Sequence, residues 1–495
     1  MDGQFIESAR LLLPLAVTLA APLAIWLARR SPNLREAMSV IAGALTCLAV
    51  LWLAPAVLAG KIWTYTLFTL LPGVTVKFAA DGLSMLFAII SSFLWVLTTS
   101  YNVGYMRKEK EHAQTRYYFC FAVAIFGAQG VAFSGNVFTL YLFYEIITLF
   151  TYPLVAHHQD ADGYAGAKKY IVYLVGTSKL FLLPAMVLTY YLCGTLDFHL
   201  GDLAKGMFPP EADPTLVVIT YVLFMAGLAK AAVMPLHNWL PSAMVAPTPV
   251  SALLHAVAVV KAGVFSISRV ILSGFGVETM QQLGLGLPTA YFAAFTIVAA
   301  SLIALTKDDI KARLAYSTVS QLSYIVIGVA MLTPLAVQGG LIHIVNHAFS
   351  KITLFFGAGA IYVACHTKQI SKMGGLGRRM PWTFGAFGLA TLSMIGVPPA
   401  CGFVSKWYLI NGAVDTGRLI LLVALLASTV LNAGYFAPVV YKAFFGTAAR
   451  GVELEKYSEA PMVMVVPLFV TAVISILIGI FPEAFMGFVH AFSKV

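Results

Sequence analysis

Apolar runs of roughly twenty residues, the length that crosses a bilayer core as a helix, recur along the whole chain between short polar stretches. They predict fourteen spanning helices, at 10–28, 37–58, 83–105, 117–134, 136–156, 168–192, 215–235, 248–273, 287–305, 314–333, 336–363, 382–411, 416–441 and 461–482. No stretch is long or polar enough for a soluble domain. The longest polar connections are 193–214 and 364–381. The expected fold is an all-α polytopic membrane bundle, one membrane domain over 1–495.

Two of the predicted helices are interrupted. Residues 234–250 read MPLHNWLPSAMVAPTPV, with Pro235, Pro241, Pro247 and Pro249, and residues 397–402 read VPPACG. Proline removes a helix hydrogen bond, and lipid cannot satisfy the freed carbonyls, so such breaks face protein or a water-filled cavity. They fall in helices 7 and 12, five helices apart. A matched pair of broken helices is the mark of an inverted-repeat transporter rather than of two ordinary proline kinks. The expected organisation is helices 1–3 in 1–110, a first five-helix repeat (helices 4–8) in 117–273, a second (helices 9–13) in 287–441, and helix 14 at 461–482.

Composition agrees with a membrane protein. Of 495 residues, 60% are hydrophobic and 11% charged, with a mean hydropathy of +0.86. Soluble domains carry roughly 25% charge, so a globular cytosolic enzyme is excluded, as are disorder, collagen and coiled coil. The net charge of +10 is not a nucleic-acid signal, because the basic residues lie mostly between apolar runs. Of 31 Lys and Arg, nineteen fall on the side reached after helix 1, six on the other side and six inside helices. The positive-inside rule then places both termini outside. The start, MDGQFIESAR, reads as the outer tail of a retained helix, not as a signal peptide. Cys47, Cys120, Cys193, Cys365 and Cys401 are scattered, with no CxxC, so no cluster, zinc site or disulfide framework is expected. There is no GxSxG, Walker A, GxGxxG after a strand, or HExxH. The adjacent His157 and His158 would point apart on a helix and read as loop residues. No cofactor, metal or catalytic centre is expected.

The informative residues are charges where none should be. An ionisable group at mid-membrane costs from about 3 to more than 10 kcal/mol and marks function by default. Glu145 is near the centre of helix 5 and is the one carboxylate well inside a predicted span. Lys179 is central in helix 6, Lys230 lies five residues before the helix 7 break, Lys261 is central in helix 8, Lys351 lies in helix 11, and Lys406 follows the helix 12 break. One such lysine could snorkel; five with a glutamate point to a conduction path. Arg269, near the outer end of helix 8, is read as snorkelling. On helix 11, His343, His347 and Lys351 at i, i+4, i+8 share one stripe. Helix 10 repeats the spacing with Tyr316, Ser320 and Tyr324, and helix 8 has Ser251 and His255 one turn apart. Histidine passes protons between its two nitrogens, and a lysine held out of water gives up its proton more readily. Zinc on the His343–His347 pair would want carboxylate or Cys companions, and none is nearby.

The stretch AKAAVMPLHNWLPSAMVAPTPVSALLHAVAVVKAGVF resembles the central signature of the antiporter-like proton-translocating subunits, as do RLAYSTVSQLSYIVIG, HIVNHAFSKITLFFGAGAI and GVPPACGFVSKWYLI. This family includes the large membrane-arm subunits of respiratory complex I, membrane subunits of energy-converting hydrogenases, and large subunits of Mrp-type cation/proton antiporters. The resemblance covers helices 3 to 13. It implies that Glu145 is the helix 5 glutamate with Lys230 its lysine partner, that Lys261 and His255 are the helix 8 site, that Lys351 with His343 and His347 is the central site, and that Lys406 is the exit-side lysine. The SKWYLINGA run looks most like the D-type subunit of an Mrp-type antiporter or its near relatives in hydrogenase-like complexes. The chain stops soon after helix 14, so the long lateral helix of complex I's distal subunit and the extra C-terminal region of the antiporter's A-type subunit are not expected.

The expected function is therefore proton translocation within a multi-subunit monovalent cation (Na⁺)/proton antiporter in a prokaryotic plasma membrane. The alternative is the same module in a redox-driven complex, and a standalone solute carrier is a third class. Expected partners are other membrane subunits, lipid, protons and Na⁺, with no nucleic acid. Glu145 and Lys230 are expected to pair, and Lys230, Lys261, His347, Lys351 and Lys406 to line one hydrated axis.

Overall fold

The computed structural model describes residues 4–448 and 453–493. The extreme termini and residues 449–452, and with them Lys494 and Arg450 of the charge count, lie outside the described residues. The chain is mostly helical, as expected, with one small sheet that the hydrophobic pattern did not predict. Strand β1 (Phe5–Glu7) pairs parallel with β2 (Ile62–Leu71), which pairs antiparallel with β3 (Val74–Ala80). The β2–β3 turn is Pro72–Gly73, and Gly73 takes φ +76, a conformation that suits glycine. Aromatic and β-branched residues on both sides of that turn are the strand signal.

The longer helices follow: α1 (Ala9–Leu27), α2 (Pro32–Leu58), α3 (Gly82–Lys108), α4 (Gln114–Ala132), α5 (Val137–Val155), α6 (Ala161–Cys193), α7 (Pro214–Gly227), α8 (Thr248–Gln282), α9 (Gly286–Thr306), α10 (Ile310–Ala330), α11 (Pro334–Cys365), α12 (Pro381–Ile395), α13 (Cys401–Asp415), α14 (Leu419–Phe445) and α15 (Met462–Ile480). A short amphipathic helix, α16 (Glu483–Ser493), closes the described chain. By length and composition, ten of these, all but α4, α7, α10, α12, α13 and α16, can cross a membrane. That is fewer than fourteen for a physical reason. The predicted spans at 117–134 and 314–333 are α4 and α10, whose runs are diluted by polar residues such as Gln129, Ser317, Ser320 and Gln321, all buried. The spans at 215–235 and 382–411 are the interrupted ones.

Burial orders the bundle. The apolar window of α8 is 100% buried and that of α11 is 89%, against 39% for α1 and α14 and 33% for α6. The helices that carry the buried His255, Lys261, His343, His347 and Lys351 thus form the centre, and the outer helices expose apolar side chains on the outside of the bundle. Without a hydrophobic drive in lipid, helices associate through small residues. α10 and α11 cross where a Cβ on Gly340 would stand 3.2 Å from the Cα of Gly328.

Both breaks are sealed by protein. After α7 the chain makes a single tight turn at Ala229–Ala231 before the irregular segment, where Trp239 Nε1 donates to the Ala229 carbonyl at 3.0 Å and Lys311 Nζ to the Ala246 carbonyl at 2.6 Å. Between α12 and α13, Lys406 Nζ donates to the Met394 and Ile395 carbonyls at 3.0 and 2.8 Å. Asn346 Nδ2 donates to the Cys401 carbonyl at 2.7 Å. Carbonyls released by the breaks thus find donors away from lipid.

Candidate functional site

The central contact joins α8 to α11. Lys261 Nζ lies 2.7 Å from His347 Nδ1, with both side chains buried. One turn along α11, the His343 ring is 6.2 Å from that of His347. His343 Nδ1 is 2.8 Å from Ser405 Oγ on α13, and its Nε2 is 3.0 Å from Gln321 Oε1 on α10. The Tyr324 ring stacks on His343 at 5.4 Å and also lies 5.4 Å from Lys406 Nζ. A row of neighbouring polar and aromatic groups therefore leads from Lys261 towards Lys406, joined by ring contacts rather than hydrogen bonds between His347, whose Nε2 has no partner, and His343.

Lys351 begins a second branch. Its Nζ donates to Ser317 Oγ at 2.8 Å. The Ser317 hydroxyl donates in turn to Tyr435 OH at 3.2 Å, and Tyr435 OH donates its single hydrogen to Asn432 Oδ1. Asn432 Nδ2 reaches the Met394 carbonyl at 3.4 Å, the same carbonyl that receives Lys406. The two branches converge on Lys406. Among the described residues, no carboxylate lies within 4 Å of Lys230, Lys261, Lys351 or Lys406. An unpaired charge out of water is expensive, so these positions favour groups that can shed and regain a proton.

At the other end of the axis the expected pairing is rearranged. Lys230, fully buried in the turn after α7, donates from Nζ to the Tyr144 carbonyl at 2.5 Å and lies 3.1 Å from the centre of the Tyr144 ring. Glu145 does not meet it. Glu145 Oε2 lies 3.5 Å from Lys179 Nζ, which also donates to Tyr141 OH at 2.5 Å. Lys179 is not the buried charge its central position in α6 suggests: its side chain is 48% exposed on the lateral face. It sits in a π-helical turn, Ser178–Leu182. Such one-residue insertions re-aim side chains and are frequent at functional sites. His255 occupies a second π turn, Leu253–Val257. It is fully buried against Phe355 (ring centroids 4.7 Å), and both its ring nitrogens and Ser251 Oγ are without hydrogen-bond partners.

Arg269 does not snorkel. It is fully buried, donating to Asp81 at 2.5 and 2.8 Å and to Ser84 Oγ at 3.0 Å. Asp81 caps α3, so the pair locks α8 to the start of α3. Lys311, counted among the surface charges of one side, is buried at the first break. Gln321, Ser405, Ser317, Tyr435 and Asn432 were not predicted as site residues. The available signal was the Ser317–Gln321–Tyr324 stripe on α10 and the Asn432–Tyr435 step on the otherwise apolar α14.

Residues 134–432, more than half of the chain, match the model of the family described as NADH:quinone oxidoreductase/Mrp antiporter, TM. The chain belongs to this family. Membership accounts for the resemblance seen in the sequence. The chain is 32% identical over 493 residues to NADH-quinone oxidoreductase subunit N of Desulforudis audaxviator, covering 95% of each chain. It is 29% identical over 432 residues to the A1 subunit of the Na(+)/H(+) antiporter of Staphylococcus haemolyticus, covering 81% of this chain but only 52% of that one. Two solved structures share its fold. The first is the Mrp complex from a Dietzia species, with TM-score 0.87, 21% identity, and 98% of this chain and 96% of that one covered. The second is an archaeal membrane-bound sulfane sulfur reductase, with TM-score 0.85, 26% identity and the same coverage. Both of these solved structures are of membrane complexes.

Proposed function

We propose that this chain moves protons across the membrane as one subunit of a larger membrane complex. The path runs through Glu145, Lys179 and Lys230, then Lys261, His347 and His343, with His255 and Lys351 beside it, to Lys406. The observation that carries this reading is the 2.7 Å Lys261–His347 contact within a buried, carboxylate-free polar run. Each lysine there can hold a proton as a cation or release it, and each histidine can accept on one nitrogen and donate from the other. Opening the Glu145 end changes the field felt by Lys230, and a proton leaving Lys230 changes the field on Lys261. At about 8 Å and an effective dielectric of ~20, two unit charges interact by about 2 kcal/mol. That is about 1.5 pKa units, enough to load or empty a lysine.

The assembly we propose is a monovalent cation (Na⁺)/proton antiporter, in which this chain is the D-type subunit, lies in a prokaryotic plasma membrane and keeps both termini outside. The Na(+)/H(+) antiporter relative and the shared fold of the Mrp complex support it. A second reading is a redox-driven proton-pumping complex. It is favoured by the subunit N relative, which matches across 95% of both chains. Reconstituted complex in vesicles with a pH-sensitive dye separates them. A Na⁺ gradient that drives proton movement supports the antiporter. Movement only on addition of electron donor and acceptor supports the redox complex. Movement under neither condition rejects proton translocation.

A further inference from the structure

The α3–α4 turn brings a second cluster together, away from the proton axis. Glu111, His112 and His157, the last just beyond α5, each offer a ligand atom within 4.8 Å of the others. His157 is fully buried, and neither ring nitrogen has a hydrogen-bond partner, although Nε2 stands 3.5 Å from Glu111 Oε2. His158 Nδ1 lies 3.7 Å from the same oxygen.

The backbone is shaped to present these groups. Lys110 and Ala113 adopt φ 52 and 47, left-handed conformations that persist in non-glycine residues only where the surroundings over-determine them. Gln114 Nε2 donates to the Glu111 carbonyl at 3.1 Å, and Arg116 Nη2 donates to the His157 carbonyl at 3.2 Å. The turn and the end of α5 are thereby fixed relative to each other, while His112 remains exposed.

A buried imidazole with both nitrogens unpaired is costly, and a carboxylate with imidazole nitrogens is a zinc-type donor set. We infer that Glu111, His112 and His157 bind one divalent transition-metal ion of the zinc class, with the fourth position facing His158 and solvent. Ligand atoms around a tetrahedral ion sit roughly 3.4 Å apart, so the cluster closes by side-chain rotation. The bound ion clamps the α3–α4 turn to the end of α5, about three turns from Glu145 on the same helix.

The full chain, purified in detergent with its accompanying subunits and stripped by chelator, is titrated with Co²⁺ as probe and Zn²⁺ as competitor. The expected result is one Co²⁺ per chain with the visible absorption of a four-coordinate nitrogen/oxygen site, displaced by Zn²⁺. His112→Ala and Glu111→Gln each weaken it at least about tenfold, and His199→Ala leaves it unchanged. His112 is exposed, so its replacement does not threaten folding. No Co²⁺ above background, or unchanged affinity in the Glu111→Gln/His112→Ala double variant, overturns the site and leaves a histidine–carboxylate ion pair only.

Discussion

Lys261 Nζ and His347 Nδ1 lie 2.7 Å apart at the centre of the bundle. Both are buried, and a single proton between them can belong to either. His347→Gln keeps an acceptor near Lys261 but cannot take a proton on one side and release it on the other. Positioned proton transfer by a side chain contributes roughly 10²–10⁴-fold, so proton flux should fall at least about tenfold in assembled complex. Flux within twofold of wild type would remove His347 from the path.

The Glu145 end gives a test of partner choice. Glu145→Ala should abolish transport while leaving some assembled complex. Lys230→Met should do the same, because the buried Lys230 Nζ on the Tyr144 carbonyl has no substitute. Lys179→Ala should cost less. Its side chain is half exposed, and accessible ion pairs contribute little. Equal losses for Lys179→Ala and Lys230→Met would make Lys179 an obligatory carrier.

The buried lysines and histidines of the proposed path were legible in the sequence because a charge in a twenty-residue apolar run is too costly to be accidental. Their partners were not. Ser317, Gln321 and Asn432 are uncharged, and a buried polar residue reads the same whether it links a network or only bonds its own helix, as Thr318 does with Leu314. The Arg269 reading failed because its partner Asp81 is 188 positions away and outside the predicted span. The π turns at Lys179 and His255 leave no periodicity signal, since one extra residue shifts a helical face without breaking the apolar run. The small sheet was overlooked because β2 and β3 lie in a stretch read only as a connection between spans, and β1 in the tail before the first span.

Asp81 and Arg269 should behave as a structural pair. Removing one partner of a buried ion pair leaves an orphan charge and costs about 3–5 kcal/mol, whereas replacing both with apolar residues is often neutral. Asp81→Asn should therefore lower the thermal midpoint of the detergent-purified complex markedly, and Asp81→Leu/Arg269→Met should recover most of the loss. A double variant no more stable than Asp81→Asn would show that the pair does more than lock α8 to α3.

Gly396 sits beside Lys406 at φ +93, where an added Cβ would stand 2.7 Å from Lys406 Cδ. Gly396→Ala carries a left-handed strain of about 1–2 kcal/mol and displaces the lysine stem, drawing Nζ from the Met394 and Ile395 carbonyls. Proton flux should fall several-fold with modest loss of assembled complex. Unchanged flux would mean that the position of Lys406 is not critical to release.

Lys351 decides whether charge or proton release matters at the centre. Its Nζ is buried, donates to Ser317 Oγ at 2.8 Å, and lies 5.3 Å from the Phe436 ring. Arginine keeps the positive charge but does not release a proton at accessible pH. If the fixed charge of Lys351 were all that its neighbours needed, Lys351→Arg would transport normally. If Lys351 must empty and refill in each cycle, Lys351→Arg should fail as badly as Lys351→Ala, even though the two differ in charge and in opposite directions in size. Lys351→Met supplies the uncharged residue of similar length. Thermal midpoints and the amount of assembled complex separate misfolding from lost transfer. The expected order of flux is wild type far above Lys351→Arg, Lys351→Met and Lys351→Ala, which lie together. Wild-type flux by Lys351→Arg in assembled complex would show that protons pass this position without residing on it, leaving Ser317, Tyr435 and the histidines of α11 to carry them.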